Sequence, residues 1–503
     1  MKTLLSYKYS VHFIIAIWVI FWQMFCNIDS YLYVQIGQFD SACFFMCGKA
    51  MMNGMVPYAE FADSKGPLLW ILYGIGYLVD HYSYIGVFWL ACVCCWITLY
   101  ISYKTAKLWL SNYEALMAAI AMTVPLFYWN FYTETKAEHF CWPFVAYSLY
   151  VLLKMSKGFA LSYRNCFLIG LGFTACLMLK WSVAFMMLSF IGSIAWLAWK
   201  KGILRLYALW LIIGMASSLL PFALYFIVVG NSWDFIREYF LNTAHTVSMP
   251  LGKTIVVYCQ EWLGMFTTKR FIYLLYIVPV VLLWKKNEWS KVILPLLCGL
   301  FFIAISIHHD NFGHYISVCG PFAILAVIFV LRWFSSKGIG LLSQLSLIVA
   351  AMCYVVWGTI RYGDTFCTKA DNRMDQFMRV SYAMSQVEQP TVIIIGQERG
   401  LAMATTLPGT RYWITQMGRS EEMLHQQEEA IWDGHADFIV LFDKNLRNEY
   451  ESRIITAGYH YFADSYAGLI YTKHAIELPE KQYHLTASDI IFKRNYIEFY
   501  QSK

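Results

Sequence analysis

FDSACFFMCGKAMMNGMVPYAEFADSKGPLLWILYGIGYLV, residues 39–79, sets two apolar segments around a run of polar residues. Asp40, Glu60, Asp63 and Lys65 punctuate it, with turn residues at Gly54, Pro57, Gly66 and Pro67. The segment 67–79 is thirteen residues long, short of the about 20 that cross a ~30 Å hydrocarbon layer. It is expected to lie in, or dip into, a membrane interface. Residues 39–53 are expected to form a second such helix, with Phe44, Cys47 and Met51 on one apolar face.

Outward from this loop the chain is dominated by longer apolar runs. Of its 503 residues 59% are hydrophobic, 18% aromatic and only 14% charged, where a soluble chain carries roughly 25% charge. A soluble enzyme, a secreted disulfide module and a disordered chain are excluded as descriptions of the whole. Eleven runs are read as spans, near 11–28, 84–102, 113–131, 139–153, 165–179, 182–198, 206–229, 271–284, 292–307, 315–331 and 340–358. The first follows Lys2 and Lys8 without a small-residue cleavage site, so it reads as a retained anchor with a cytoplasmic N-terminus. Alternation then puts Lys104, Lys107, Lys154, Lys157, Arg164, Lys200, Lys201, Arg205, Lys285, Lys286, Lys291, Arg332 and Lys337 on the cytoplasmic side. Fewer cations, spread over longer loops, fall on the other side, as the positive-inside rule requires. Residues 29–83, 230–270 and the C-terminal region are thereby outside. Cys92, Cys94, Cys95, Cys166, Cys176, Cys298 and Cys353 sit in apolar runs and read as small hydrophobes.

The expected fold class is an all-α polytopic membrane protein of about eleven helices, residues 1–358, followed by a small α/β unit, 359–503. Strands are expected at 392–396, 437–442, 459–463 and 467–472, an apolar segment at 411–415, and helices near 419–432 and 444–457. Gly396 and Gly400 lack the third Gly or the Lys-Ser/Thr of a nucleotide loop.

Ionisable residues at span edges are costly and mark function. On the outer side the first loop supplies Asp29, Asp40, Glu60, Asp63 and Lys65; the second Glu134, Lys136, Glu138 and His139; the third Lys180; a late loop His308, His309, Asp310, His314 and Tyr315. Carboxylates facing cations at one membrane surface suit an anionic lipid-linked substrate. His308, His309, Asp310 and His314 are metal-ligand types, but their spacing is no metal signature, so no metal or other cofactor is expected.

The loop 39–79 resembles the first extracytoplasmic loop of the GT-C glycosyltransferases, in particular the aminoarabinose transferase and protein O-mannosyltransferase-like group. The resemblance rests on Asp40, on Gly54 to Pro57 and on Asp63-Ser-Lys65-Gly-Pro67-Leu68. It continues at AEHFCWPFVAYSLYVLLK, LMLKWSVAF and GHYISVCGPFAIL. It departs from the group's common Asp-Glu pair, having Asp40-Ser41. The resemblance implies a membrane glycosyltransferase that takes a sugar, with inversion, from a polyprenyl-phosphate carrier to a glycan, lipid or protein acceptor, with no nucleic acid involved. Asp40 is then the general base and Glu138 a second catalytic carboxylate that holds acceptor or sugar or orients Lys65. Lys65, Lys180, His314 and Tyr315 bind the donor phosphate, with Asp63 and His139 in support; Lys136 is expected to matter less. Each has a plainer reading: Asp40 as a helix N-cap, Lys65 and Lys180 as snorkelling lysines, Glu138 as a charge at a helix start. Asp29 is the alternative base, and Glu134 the alternative to Glu138. The resemblance places the protein in a cell membrane, most plainly a bacterial inner membrane, with its C-terminal unit outside. The rival class is a transporter or flippase for an anionic lipid or solute, which would carry its ionisable residues near mid-span.

Overall fold

A computed structural model of the chain describes residues 10–33, 40–128, 134–242, 256, 293, 294, 297, 313–361, 372–396, 401–414, 421–465 and 467–480. The expected spans near 271–284 and 292–307 lie outside the described residues, apart from 293, 294 and 297 within the second.

Helices α1 (Ser10–Cys26), α2 (Asp40–Met52), α3 (Pro67–Val79), α4 (Ile85–Ala106), α5 (Asn112–Ala121), α6 (Thr123–Tyr128), α7 (Ala137–Ser156), α8 (Tyr163–Leu179), α9 (Trp181–Lys200) and α10 (Leu204–Val229) follow in order. A short α11 (Ser232–Phe235) runs into a π-helical stretch, Ile236–Asn242. A 3₁₀ stretch, Gly313–Phe322, leads into α12 (Ala323–Ser335), and α13 spans Gly340–Arg361. Among the described residues five helices are long and apolar enough to cross a membrane: Ile85–Ala106, Trp181–Lys200, Leu204–Val229, Ser317–Ser335 and Gly340–Ile360. Their starts follow local chemistry. Ser111 caps α5 reciprocally with Glu114, and Ser162 caps α8 with Asn165.

The bundle is organised around α7, which is buried along most of its length and packs on α4, α8, α9 and the 313–322 stretch. Helices α8 and α10 approach backbone to backbone, because a Cβ on Gly170 would stand 2.1 Å from the Leu211 carbonyl oxygen and one on Gly214 the same from Phe167. Small residues at such a crossing allow close packing where lipid supplies no hydrophobic drive. The outward face of α10 carries exposed Leu209, Ile212, Leu220, Leu224 and Ile227.

Helix α2 corrects the expectation of a single apolar face. Every residue from Ser41 to Ala50 is buried, because α3 covers one side and residues 401–408 another.

The C-terminal unit opens with α14 (Asn372–Met384), which was not expected. Strands β1 (Thr391–Ile395), β2 (Leu407–Pro408), β3 (Phe438–Leu441), β4 (His460–Ser465) and β5 (Gly468–Thr472) form one sheet in the order β2-β1-β3-β5-β4. The first three are parallel, and β5 joins antiparallel with β4 as its hairpin partner. Helices α15 (Glu421–Trp432) and α16 (Arg447–Thr456) flank it. Strand alternation divides the sheet: Val392 and Ile394 join the apolar cluster that runs through the bundle, while Ile393 and Ile395 pack with Ile431 and Ile454. The segment expected at 411–415 contributes a bridge between Ile394 and Ile414.

Candidate active site

Asp40 is the first residue of α2, and its Oδ2 accepts from the Lys136 ammonium at 2.7 Å. The same ammonium lies 3.3 Å from Glu134 Oε1, whose Oε2 accepts from the Ser41 N–H at 3.3 Å. Two carboxylates thus share one lysine. Burial alone would favour a neutral amine at Lys136, yet Glu134 and Asp40 outweigh it and hold the ammonium protonated beyond the usual lysine range. Burial pushes Glu134 up against the pull of Lys136, and the nearby Asp40 charge adds to the rise. Lys136, expected to matter less for donor use, is thus placed against the candidate base. It is the residue nearest the Asp40 carboxylate in the described ion pairs.

A second pair stands two residues further along the chain. Glu138, on the first turn of α7, bonds the ammonium of Lys180, which occupies the break between α8 and α9. The described partner of Glu138 is thus Lys180. The charge of Glu138 also acts on Lys136, so the two pairs form one electrostatic unit.

Lys65 comes to the same end of the bundle through its neighbour. The Gly66 N–H donates to the Leu179 carbonyl at 3.2 Å, and a Cβ on Gly66 would stand 2.0 Å from the Met178 oxygen. Only glycine permits that approach, which seats the Asp63–Pro67 turn on the end of α8 beside Lys180. Tyr58, buried and held at a φ of 67°, donates to the Lys65 carbonyl at 2.9 Å. The Lys65 ammonium contacts Ser64 Oγ at 3.1 Å and lies over the Phe44 ring. Asp63 accepts from the Ser64 N–H at 2.5 Å, a local turn bond.

His139 accepts the Lys136 N–H on Nδ1 at 2.9 Å and tilts against Trp142. The ring therefore carries its proton on Nε2 and fixes the start of α7. His314 and Tyr315 fall on the 3₁₀ stretch, which Trp142 ties to α7 by donating to the Ser317 carbonyl at 2.7 Å; the two side chains themselves, with His308, His309 and Asp310, lie outside the described residues. Among the described residues no group of three or more His, Cys, Asp or Glu is placed to hold a metal ion.

The C-terminal unit is fastened to this loop by residues that carry no motif. Lys49, in the last turn of α2, is buried and donates to the carbonyls of Ala402 at 2.9 Å and Ala404 at 2.7 Å. Arg411 donates from Nε to the Ala59 carbonyl at 3.0 Å, while its own carbonyl accepts from Ala62 N–H at 2.9 Å. Tyr412 donates to Glu238 of the π-helical stretch at 2.9 Å.

The sequence matches no protein-family model and no curated protein. Its fold is the GT-C fold. Among solved structures it is similar to ArnT from Cupriavidus metallidurans bound to undecaprenyl phosphate, with a TM-score of 0.60 at 10% identity, over 95% of this chain and 100% of that one. The apo state of the same ArnT gives 0.59 at 11% identity, over 92% and 97%. An oligosaccharyltransferase from Archaeoglobus fulgidus aligns with a TM-score of 0.49 at 12% identity, over 92% of this chain and 73% of that one. At these identities the likeness is one of fold.

Proposed function

We propose that this chain is a GT-C membrane glycosyltransferase that moves a sugar from a polyprenyl-phosphate carrier to an acceptor hydroxyl or amine outside the cytoplasm, with Asp40 as general base. The observation that carries the reading is the convergence of Asp40, Lys136, Lys180 and the Lys65 turn at helix ends on one side of the bundle. A transporter would hold such charges at mid-span.

Accessibility assigns the roles within the cluster. The Asp40 side chain is 23% exposed, whereas Lys136 and Glu134 are each 4% exposed; Asp40 is the carboxylate an acceptor reaches. Lys180 is likewise the open member of its pair, at 11% against 3% for Glu138. The acceptor attacks the anomeric carbon as the bond to the carrier phosphate breaks, its electron pair passing to the phosphate oxygen. Asp40 takes the acceptor proton. Lys180 and Lys65 balance the charge of the departing phosphate, and Glu138 holds Lys180 in place. A carboxylate paired with an ammonium is a weak base. Phosphate charge drawing Lys136 away would restore the basicity of Asp40 when donor is bound.

The site faces outward in this reading, with the N-terminus cytoplasmic and the C-terminal unit outside. Support comes from the opposite end of the bundle, where Lys104, Lys107, Lys154, Lys157 and Lys200 each lie over a Tyr or Trp ring, in the manner of a cytoplasmic membrane boundary.

The test is Asp40→Asn, which keeps shape and hydrogen bonding but removes the base. Release of undecaprenyl phosphate from the lipid-linked sugars extracted from cells lacking the gene should fall to background, with the protein still folded in detergent. Asn starts a helix as well as Asp does, so an active variant would sink the base assignment.

A further inference from the structure

We infer that Asp29 is a positioning residue that sets the Asp40–Lys136 pair by gripping the peptide of Thr135. The inference deepens the reading of Asp40 as base and rests on it.

Residues 134–136 have no regular secondary structure, yet they carry both Glu134 and Lys136. Their geometry must come from side chains of other elements, and Thr135 is where those converge. Its N–H donates to Asp29 Oδ2 at 2.7 Å. Its hydroxyl accepts from Asn27 Nδ2 at 3.1 Å, and Asn27 is itself held by Gln23 Oε1 at 3.0 Å. Its carbonyl accepts from Ser41 Oγ at 2.9 Å and from Tyr73 OH at 2.5 Å. The end of α1, the start of α2 and the middle of α3 thus meet on one residue, and every polar group of Thr135 is bonded.

Asp29, Ser41 and Thr135 are each 0% exposed. A carboxylate so buried and so engaged is closed to an acceptor, which argues against Asp29 as the base. It supplies instead a charge-assisted bond to a backbone donor, stronger than a neutral one. Lys is a flexible chain whose reach is set by its backbone anchor. Lys136 is anchored on both sides, by the Thr135 peptide before it, whose Lys136 N–H donates to His139 Nδ1, and by its own carbonyl, which accepts from the His139 N–H at 3.1 Å. Loosening the Asp29 bond frees that anchor and moves the ammonium relative to Asp40. Displacement of about 1 Å from productive geometry lowers rates on the order of a hundredfold.

The experiment compares Asp29→Asn, Asp29→Ala and Asp40→Asn in the undecaprenyl phosphate release assay, with undecaprenyl phosphate binding followed by tryptophan fluorescence. Asn keeps an oxygen that accepts from Thr135 N–H, so Asp29→Asn should retain turnover within about tenfold of wild type. Asp29→Ala should lose roughly a hundredfold in kcat. Undecaprenyl phosphate affinity should stay within about threefold in both, since Lys65 and Lys180 are untouched. A folded Asp29→Asn that is as inactive as Asp40→Asn overturns the inference, because charge and not position would then be required. So does an Asp29→Ala with wild-type kcat. If Asp29→Ala does not fold, Asp29→Asn alone decides. An active Asp40→Asn would remove the base reading instead, so the two failures are distinguishable.

Discussion

Replacing Lys180 by Met removes an ammonium that pairs with Glu138 and that the proposed reading sets against the donor phosphate, and the magnitudes separate the two. Met preserves the apolar stem, but it removes the ammonium that Glu138, buried at 3% exposure, bonds. Breaking a buried pair from one side costs about 3–5 kcal/mol. Loss of a charge-assisted phosphate contact costs about 1.5–3 kcal/mol, or roughly ten- to more than hundredfold in affinity. The single variant therefore mixes a stability loss with a binding loss, and the former is the larger. Adding Glu138→Gln neutralises that carboxylate. Lys180→Met/Glu138→Gln should regain most of the stability while keeping the whole binding defect. Thermal unfolding in detergent, without and with undecaprenyl phosphate, reads both. Ligand at one hundred times its Kd stabilises by about 2.7 kcal/mol, and a tenfold weaker site gives about 1.4 kcal/mol less. A double variant stabilised by undecaprenyl phosphate as much as wild type would refute Lys180 as a phosphate ligand and leave it a structural partner of Glu138.

Gly66→Ala should uncouple the Lys65 turn from the end of α8, since its Cβ would meet the Met178 carbonyl at 2.0 Å. Overpacking of this kind costs about 1–3 kcal/mol; the variant should melt lower and bind undecaprenyl phosphate more weakly, and wild-type behaviour in both assays would contradict the close approach. In the C-terminal unit Asp437 accepts from Thr391 N and Oγ1, both at 2.8 Å, and from His474 at 2.7 Å. Burial acts to raise its pKa, but these bonds prevail and hold it below the usual Asp value. A depressed folded-state pKa stabilises above the unfolded value and is lost as pH falls through the folded one. Below about pH 4, the stability of wild type should therefore converge on that of Asp437→Asn, as followed by hydrogen exchange of β1 and β3; a gap that stays constant down to pH 2 would contradict it.

Much of the fold is legible in local pattern. Apolar runs of membrane length forecast helices, and four of the five strands of the C-terminal sheet lie where alternation and bounding turns put them. The 3.6-residue spacing of Phe377, Val380, Ser381 and Met384, all buried, shows that α14 was readable too; its polar neighbours masked it. The two-residue β2 had no sequence signal, being held only by the register of Thr391 and Val392 against Leu407 and Pro408. That these charges would gather at helix ends was also readable, because membrane insertion constrains where lysines and carboxylates fall along the chain. Pairing was not. Lys136 meets Asp40 across 96 residues and Lys180 meets Glu138 across 42, distances over which composition and periodicity say nothing about which cation finds which carboxylate. The same limit hid the role of Lys49, a residue of the expected 39–53 helix that is a buried fastener to Ala402 and Ala404, and Thr135, an unremarked residue on which three helices converge. Period and hydropathy are properties of one segment against its solvent, so the sequence alone determines them. An ion pair or a gripped peptide is a property of several segments at once, and only the packed bundle decides it.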